Sequence, residues 1–554
     1  MPHPRTRSWI AGAFVVEHRP PSGAAVGGVL ILPPLGYEDT SAYRPLRILA
    51  DALAEAGFHT LRLDWPGLGD SAGSALDEDL PLRRLEAVRA ALRALREAGH
   101  ASVGVVGVRA GGLLAMEAGG FDELVLWGTP ASGRALLREE RAFHRMASQA
   151  FGAPPADAPA LPAGAMEAGG FVMGAATVAA LEAMVPRADP ELRRALVLPR
   201  EGASAAPELL AALSAHGAAV AEAAHGGLGD LLEDPYRSGL APAVREAVVG
   251  FFSKGTARPV EDRRGASTLT LPGGILERPF VVPGGAGELS GVVCEPAGGA
   301  RPGAAWTIFY NAGGVRRSGP NRLWTEAARA LAAEGVPSLR VDVRDVGDSD
   351  GVSAPRTDLE AMYSVDSVAD AILAIDAVRQ LGAGVVDVVG LCSGAYLAVQ
   401  AANARPVRGA LLINCLAFVW DEDARSNGLA SQIGRSLFNA RRWRRLLEGR
   451  IDARQLARAI VVQARLRGQD LLARAKGAPA ASAVDQLLHS VLLRGTHFQL
   501  VSSEADPSVD YLERHVPVER RPPLLIVPGV DHTLRPAWSH RRVVQWVLEQ
   551  SRSR

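Results

Sequence analysis

Cys392 has the residue type and the surroundings of a catalytic nucleophile. It is the centre of the segment GLCSG (390–394), which follows an apolar run and precedes the helical pattern AYLAVQAAN. A strand, Gly-Xaa-nucleophile-Xaa-Gly and a helix form a nucleophile elbow, in which the glycines permit a sharp turn that lifts the central side chain above the sheet. The N-terminus of the following helix favours thiolate over thiol. A tight turn around a small buried cysteine is the alternative interpretation.

The order of polar residues downstream of Cys392 predicts a catalytic triad. Elbow hydrolases place the nucleophile first, the acid second and the histidine last. Asp506 follows the predicted strand that begins at His497, and His532 lies in the loop after the last predicted strand. We therefore predict that His532 is the base and Asp506 the orienting acid. Three nearby carboxylates compete with Asp506 for that role: Glu504, Asp510 and Asp531.

Two backbone regions are candidates for stabilising an oxyanion. The amide of Ser393 would point into the site from the start of a helix. The loop after the predicted strand AWTIFYNAGG (305–314) could supply a second amide, from Ala312 or Gly313. A simple glycine-rich turn is the alternative for that loop.

A second elbow-like segment, GVRAG (107–111), has Arg109 at its centre. A guanidinium stays protonated and has no lone pair for attack, so this segment cannot repeat the chemistry. Glu201 and His225 are the nearest candidates for an acid and a base in this region, and both are open to an incidental role. We predict a non-catalytic domain in which Arg109 binds an anionic group or hydrogen-bonds to carbonyl groups.

The chain repeats itself at the scale of a domain. The segment LRLDWPGLGDSAG (61–73) recurs as LRVDVRDVGDSDG (339–351), a separation of 278 residues, and the two elbow centres are 283 residues apart. The sequence predicts a first domain over 1–255, a linker over 256–275 and a second, catalytic domain over 276–554.

Each copy alternates apolar strand patterns with amphipathic helix patterns. This alternation predicts an α/β fold class with two tandem α/β-hydrolase domains, in which mostly parallel sheets have helices on both faces. A basic helical insertion over about 416–495 is expected to be a lid. It could hold the phosphate of coenzyme A or the arm of a carrier protein, although the solvated face of lid helices explains its charge as well.

The composition narrows the class of protein. The 554 residues contain 60 basic and 60 acidic side chains, so no overall charge favours a nucleic-acid or membrane partner. The N-terminal segment lacks the pattern of a signal peptide, and we find no apolar run long enough to span a membrane. We expect a soluble, cytoplasmic protein. Three cysteines predict neither a disulfide framework nor a metal site, and we predict no cofactor.

Both halves resemble known hydrolase families. The second half, with GLCSG, VGDSDG and VDHT, resembles the exosortase A system-associated hydrolase 1 family. The first half, with GVRAGGLLA and EAGGF (167–171), resembles the companion family, exosortase A system-associated hydrolase 2. The resemblance implies a bacterial enzyme from a biosynthetic locus. Those families are separate proteins, so the fusion departs from their pattern.

The sequence therefore predicts a cysteine-dependent, thioesterase-like acyl hydrolase or acyltransferase that forms an acyl-Cys392 intermediate. Its expected partner is an acyl substrate, free or carried on an acyl carrier protein or coenzyme A. A non-catalytic scaffold that binds a carrier protein is the alternative. We also consider that the two domains contact each other and work as one unit.

Overall fold

Each half of the chain is built around one large β-sheet in the computed structural model. The structure describes residues 5–149, 153–187, 189–260, 265–285, 287–351, 359–421, 424, 482–504 and 506–552. The strands of the first half are β1 (Arg5–Ile10), β2 (Ala13–His18), β3 (Ala24–Ala25), β4 (Gly27–Leu32), β5 (Phe58–Leu63), β6 (Val103–Val108), β7 (Glu123–Trp127), β8 (Met166–Ala168), β9 (Phe171–Met173), β10 (Arg194–Leu198) and β11 (Ala219–Glu222). Its helices are α1 (Tyr37–Glu55), α2 (Leu80–Glu97), α3 (Ala110–Ala118), α4 (Gly133–Ser148), α5 (Ala175–Ala183), α6 (Pro207–Ser214), α7 (Leu228–Leu231) and α8 (Pro242–Phe251).

The second half has the same kinds of element. Its strands, of which the first two lie in the proposed linker, are β12 (Arg258–Pro259), β13 (Leu269–Thr270), β14 (Leu276–Gly284), β15 (Gly287–Glu295), β16 (Ala305–Phe309), β17 (Ser338–Val341), β18 (Val385–Leu391), β19 (Gly409–Ile413), β20 (His497–Ser503) and β21 (Leu524–Val527). Its α-helices are α9 (Leu323–Ala333), α10 (Val365–Gln380), α11 (Ser393–Ala404), α12 (Ala483–Leu493), α13 (Pro507–His515) and α14 (Ala537–Arg552). Single 3₁₀ turns lie at Pro272–Gly274, Pro320–Arg322, Leu359–Tyr363 and Val518–Arg520.

The two large sheets share their strand order over eight strands. The first sheet runs β1-β2-β5-β4-β6-β7-β10-β11, and the second runs β13-β14-β15-β17-β16-β18-β19-β20-β21. Pairing is antiparallel up to β5 in the first sheet and up to β17 in the second, and parallel beyond them. The carboxyl ends of the parallel strands therefore meet at one edge of each sheet, where ligand sites of such folds lie. The predicted fold class is confirmed.

Alternating residues of the central strands explain why both faces of each sheet are covered. In β18, Val386 and Val388 belong to one hydrophobic cluster, while Val389 and Leu391 belong to the cluster on the opposite face. The corresponding strand of the first half, β6, divides its valines between two clusters in the same way. Strands buried on both faces consist of near-continuous apolar runs, as the sequence of these strands does.

Some details differ from the sequence-based expectations. Helix α1 begins at Tyr37, whereas the sequence pattern predicted a start at residue 43. The N-terminal hairpin of β1 and β2 was not predicted, and its strands, RTRSWI and AFVVEH, do not alternate polar and apolar residues. Most of the predicted lid lies outside the described residues, and its described parts are residues 416–421, residue 424 and the segment 482–495, which contains α12. The proposed linker pairs through β12 with β3 and through β13 with β14.

Candidate active site in the second half

The backbone at Cys392 has the strained geometry of a nucleophile elbow. Its φ is 58° and its ψ is −120°, values that residues other than glycine rarely adopt. A Cβ on Gly390 would lie 2.1 Å from the carbonyl carbon of Gly394, and a Cβ on Gly394 would lie 2.5 Å from the carbonyl oxygen of Asn311. Both flanking positions thus require glycine, because the backbone at the start of α11 packs against β18 at the first position and against the segment after β16 at the second.

Asp506 and His532 form a buried hydrogen-bonded pair. The Nδ1 atom of His532 lies 2.5 Å from Oδ2 of Asp506, and both side chains are buried. Asp506 also caps α13, where its Oδ1 accepts a hydrogen bond from the amide of Ser508 at 3.0 Å. Burial alone would raise the pKa of Asp506, but the interactions with His532 and Ser508 outweigh it and lower the pKa. An ionised Asp506 is therefore suited to orient the imidazole.

The competing carboxylates have other surroundings. Glu504 and Asp510 are exposed to solvent. Asp531 accepts hydrogen bonds from the amide of Arg535 at 2.8 Å and from its Nε at 2.6 Å. Of the four carboxylates, the structure brings Asp506 into contact with the histidine ring.

Cys415 is a second cysteine near the candidate site, two residues after the end of β19. Its sulfur donates to the carbonyl of Ala417 at 3.2 Å, and the residue is buried. Burial raises the pKa of the Cys415 thiol, and the negative charges of Cys392 and Asp506 raise it further. Cys415 therefore stays a neutral thiol.

Asn414, at the end of β19, fixes the loop that carries the histidine. Its Nδ2 donates to the carbonyl of His532 at 2.6 Å and to Oγ of Ser503 at 3.0 Å. Ser503 in turn donates from Oγ to the carbonyl of Asp531 at 2.8 Å. Sequence reasoning missed both residues, although a polar residue directly after the apolar strand LLI is a usable signal.

The predicted oxyanion loop lies beside the elbow. The amide of Gly313 donates to Oγ of Ser393 at 2.9 Å, and Ala312 is buried. An acyl oxygen at this position would compete with the Ser393 hydroxyl for the Gly313 amide. The structure thus brings together the three residues predicted as oxyanion donors.

Cys392 is bordered by a group of aromatic side chains, which sequence reasoning did not identify. The hydroxyl of Tyr363 lies 4.0 Å from Sγ of Cys392, and its ring stacks on that of Trp420 with 3.8 Å between centroids. Tyr396 packs against Tyr363 at 5.1 Å and donates its hydroxyl hydrogen to the Tyr363 carbonyl at 3.2 Å. These residues are far apart in the sequence and follow no common pattern, so no sequence signal joins them.

The elbow of the first half keeps the backbone geometry but surrounds its central residue differently. Arg109 has φ 53° and ψ −115°. Its Nε donates to Glu38 at 2.9 Å and its Nη1 to the carbonyl of Gly128 at 3.1 Å, while Nη2 pairs with Glu139 at 2.5 Å. Glu139 also pairs with Arg200. All three nitrogens of Arg109 thus bind groups of the protein itself, one of them a carbonyl.

Glu201 and His225 line one open cavity of about 350 Å³ near this elbow. Glu201 follows β10 by three residues, as Asp506 follows β20. Both Glu201 and His225 are exposed, and Oε1 of Glu201 accepts a hydrogen bond from the amide of Gly229 at 2.8 Å. The two residues therefore lack the buried, direct pairing of Asp506 and His532.

The described residues form no candidate metal site and no candidate membrane span. No group of three or more histidine, cysteine or acidic side chains within the described ranges could hold a metal ion. Among the same residues, none of the helices combines the length and the apolar character needed to cross a bilayer.

Comparison with known proteins identifies the class of the second half. Residues 298–546 match the model of the alpha/beta hydrolase family, and this range contains Cys392, Asp506 and His532. The second half is therefore similar to this family and has the alpha/beta hydrolase fold. A search of the curated proteins found no match.

Solved structures of hydrolases are similar over half of the chain. A serine hydrolase without a lid from Xanthomonas campestris is 19% identical and covers 49% of this chain and 94% of its own, with a TM-score of 0.29. An esterase from the archaeon Pyrobaculum calidifontis is 18% identical and covers 50% of this chain and 85% of its own, with a TM-score of 0.31. Identities this low indicate nothing about the substrate.

Proposed function

We propose that the second half is a cysteine-dependent acyl hydrolase or acyltransferase that acts through an acyl-Cys392 intermediate. The observation that carries the proposal is the buried pair of His532 and Asp506 at the same sheet edge as an elbow whose central residue is a cysteine. A base held by an acid, next to a strained nucleophile, is the arrangement of covalent acyl transfer.

The chemistry follows from these positions. His532 takes the proton of the Cys392 thiol while Asp506 holds the imidazole orientation and stabilises its positive charge. The thiolate attacks a carbonyl carbon, and the amides of Ser393 and of the 312–313 loop stabilise the oxyanion. Collapse expels the leaving group, which receives the proton from His532, and leaves a thioester on Cys392. Water, an amine, a thiol or an alcohol then accepts the acyl group, again with His532 as the base.

We propose a non-catalytic role for the first half, in a tandem of domains over 1–255 and 276–554. The shared strand order and the two elbows support this arrangement. At the first elbow a guanidinium replaces the nucleophile, and its nitrogens are bound by Glu38, Glu139 and a carbonyl group. This internal pairing favours a structural role for Arg109 over a site for an external anion.

The proposed substrates are esters and thioesters, including acyl groups on coenzyme A or on an acyl carrier protein. The aromatic group formed by Tyr363, Tyr396 and Trp420 borders the reactive sulfur and offers an apolar surface to an acyl chain. A role in a bacterial biosynthetic pathway remains a prediction from the family resemblance.

The direct test is to trap the acyl group. Full-length protein is incubated with a p-nitrophenyl ester or an acyl thioester and analysed by intact mass, with peptide mapping. We expect one acyl adduct on Cys392 in the wild type and none in Cys392→Ala. Cys294→Ala, which removes a buried cysteine on β15, is the matched control and should acylate like the wild type.

An adduct that persists in Cys392→Ala, or a wild type that no acyl donor modifies, would contradict the proposal. The acceptor is then identified by mixing the acylated protein with water alone, an amine or a thiol and following the products. A faster loss of the adduct with amine or thiol would identify a transferase, and loss at the same rate in all three a hydrolase.

A further inference from the structure

The loop that carries the oxyanion donors is held from outside by the first half of the chain. This loop, which we call the oxyanion loop, spans residues 310–319 between β16 and the start of α9. Its inner side contacts the elbow through Gly313 and Ser393. Its outer side presents two consecutive arginines, Arg316 and Arg317, that are buried.

Arg316 is bound by two carboxylates of the first half. Its Nη2 lies 2.7 Å from Oδ2 of Asp39, and its Nη1 lies 2.5 Å from Oδ1 of Asp64. The guanidinium carbon also lies 3.9 Å from the centroid of the Tyr43 ring. At most 8% of any of the three charged side chains is exposed. A buried ion pair with so little water is strongly unfavourable to break, because each partner would be left as an isolated buried charge.

Arg317 forms further ion pairs, with one carboxylate of the first half and one of the second. Its Nη2 lies 2.8 Å from Oδ2 of Asp70 in the first half, and its Nη1 lies 2.7 Å from Oδ2 of Asp342 in the second. Reciprocal pairs surround it: Arg340 binds Asp70 at 2.7 Å, and Arg62 binds Asp348. These contacts tie the loop to residues of both halves at fixed positions.

Backbone packing against the first half also restrains the outer side of the oxyanion loop. A Cβ on Gly314 would lie 2.7 Å from the amide nitrogen of Tyr236 and 2.8 Å from the carbonyl carbon of Pro235, both in the first half. The loop therefore has no room to move outward at the residue directly after Gly313.

We propose that the first half positions the oxyanion loop of the second half, with Asp39 and Asp64 as positioning residues that act through Arg316. The inference rests on the proposed acyl-Cys392 chemistry. Oxyanion donors act only when they are held at the place where charge develops, so a displaced loop slows acylation without disabling the nucleophile.

The test separates these two effects in full-length protein. Acylation of Cys392 by p-nitrophenyl acetate forms an oxyanion, whereas alkylation by iodoacetamide is a direct displacement that forms none. We expect Asp39→Asn to lower the acylation rate about tenfold or more, since losing one donor costs up to ~10²–10³. The alkylation rate should stay within about twofold, since the nucleophile itself is untouched.

Asp51→Asn is the matched control. Asp51 lies on α1 like Asp39 and is also ion-paired, but its partners, His18, Arg5 and Arg47, all belong to the first half. We expect this variant to keep the wild-type ratio of acylation to alkylation. If Asp39→Asn does not fold, Arg316→Lys keeps the charge, loses the two-sided contact, and should give the same split.

The results separate failure of this inference from failure of the proposed function. Equal losses of acylation and alkylation in the folded variants, or no loss of either, would overturn the positioning role while leaving the acyl-Cys392 chemistry intact. A wild type that iodoacetamide alkylates but no ester acylates would overturn the proposed function and this inference with it.

Discussion

Cys392 and Arg109 occupy the same position in two elbows, with φ and ψ of 58° and −120° at the first residue and 53° and −115° at the second. The flanking glycines are equally constrained in both. A Cβ on Gly111 would lie 2.4 Å from the carbonyl oxygen of Leu32, as one on Gly394 would lie close to the carbonyl of Asn311. The strained backbone is therefore set by the contact of helix with strand and not by the central side chain.

The difference between the elbows lies in what surrounds the central residue. The elbow at Cys392 contacts the oxyanion loop and shares its sheet edge with a histidine that is held by a carboxylate. At the other elbow, the carboxylates of Glu38 and Glu139 bind the guanidinium of Arg109. The comparison shows that the same elbow backbone forms around a thiol and around a guanidinium.

The largest expected effect comes from breaking the acid of the second half. Asp506→Asn should lower kcat for ester hydrolysis by about 10³–10⁴, because an amide cannot stabilise the imidazolium and favours the wrong tautomer of His532. Steady-state kinetics with a p-nitrophenyl ester measure it. Asp510→Asn, on the exposed side of α13, is the control and should retain wild-type rates. Equal activity of the two variants would contradict the assignment of Asp506 to the triad.

The next effect concerns the stability of the first elbow. Arg109→Met should destabilise the first half by about 2 kcal/mol, at the low end for removing one partner of a buried ion pair because Glu139 is partly exposed. Thermal unfolding followed by circular dichroism measures the change. Arg93→Met, which removes a surface ion pair with Glu86, should change stability by less than about 1 kcal/mol. An Arg109 variant as stable as that control would argue against a structural role.

The pH dependence of stability tests the surroundings of the first elbow further. Burial, with help from Glu38, raises the pKa of Glu140 to about 8. The folded state therefore keeps a proton that the unfolded chain releases near pH 4 to 5, so the contribution of Glu140 to stability falls as pH rises toward 8. Over this range, the contribution of Glu140 to the free energy of unfolding falls by about 1 kcal/mol per pH unit. Relative to the wild type, Glu140→Gln should gain in Tm from pH 5 to pH 8, and a constant difference in Tm would contradict this assignment.

The smallest expected effect tests whether the first half takes no part in catalysis. His225→Ala and Glu201→Gln should each change kcat/KM for ester hydrolysis by less than about twofold, since both residues are exposed and neither belongs to the buried pair that base catalysis requires. The same p-nitrophenyl assay applies. A loss beyond tenfold in either variant would assign chemistry to the cavity that they line.

Much of the fold could be predicted from the sequence because it depends on neighbours along the chain. Apolar runs alternating with amphipathic segments gave the strands and helices, and the Gly-Xaa-Cys-Xaa-Gly spacing gave the elbow at Cys392. The boundary of α1 and the hairpin of β1 and β2 were missed, since helix ends and short edge strands depend on weak local signals. The chain order of Cys392, Asp506 and His532 was likewise readable, because strand ends that follow one another in the sequence meet at one edge of the sheet.

The sequence by itself determined that one elbow carries a thiol and the other a guanidinium. Only the tertiary structure decided which of four carboxylates contacts His532, that Glu38 and Glu139 bind Arg109, and that the oxyanion loop is held by the first half. The contact between Arg316 and Asp39 joins residues 277 positions apart. No local pattern encodes such a pairing, because burial and charge compensation arise only when the two sheets have brought these side chains together.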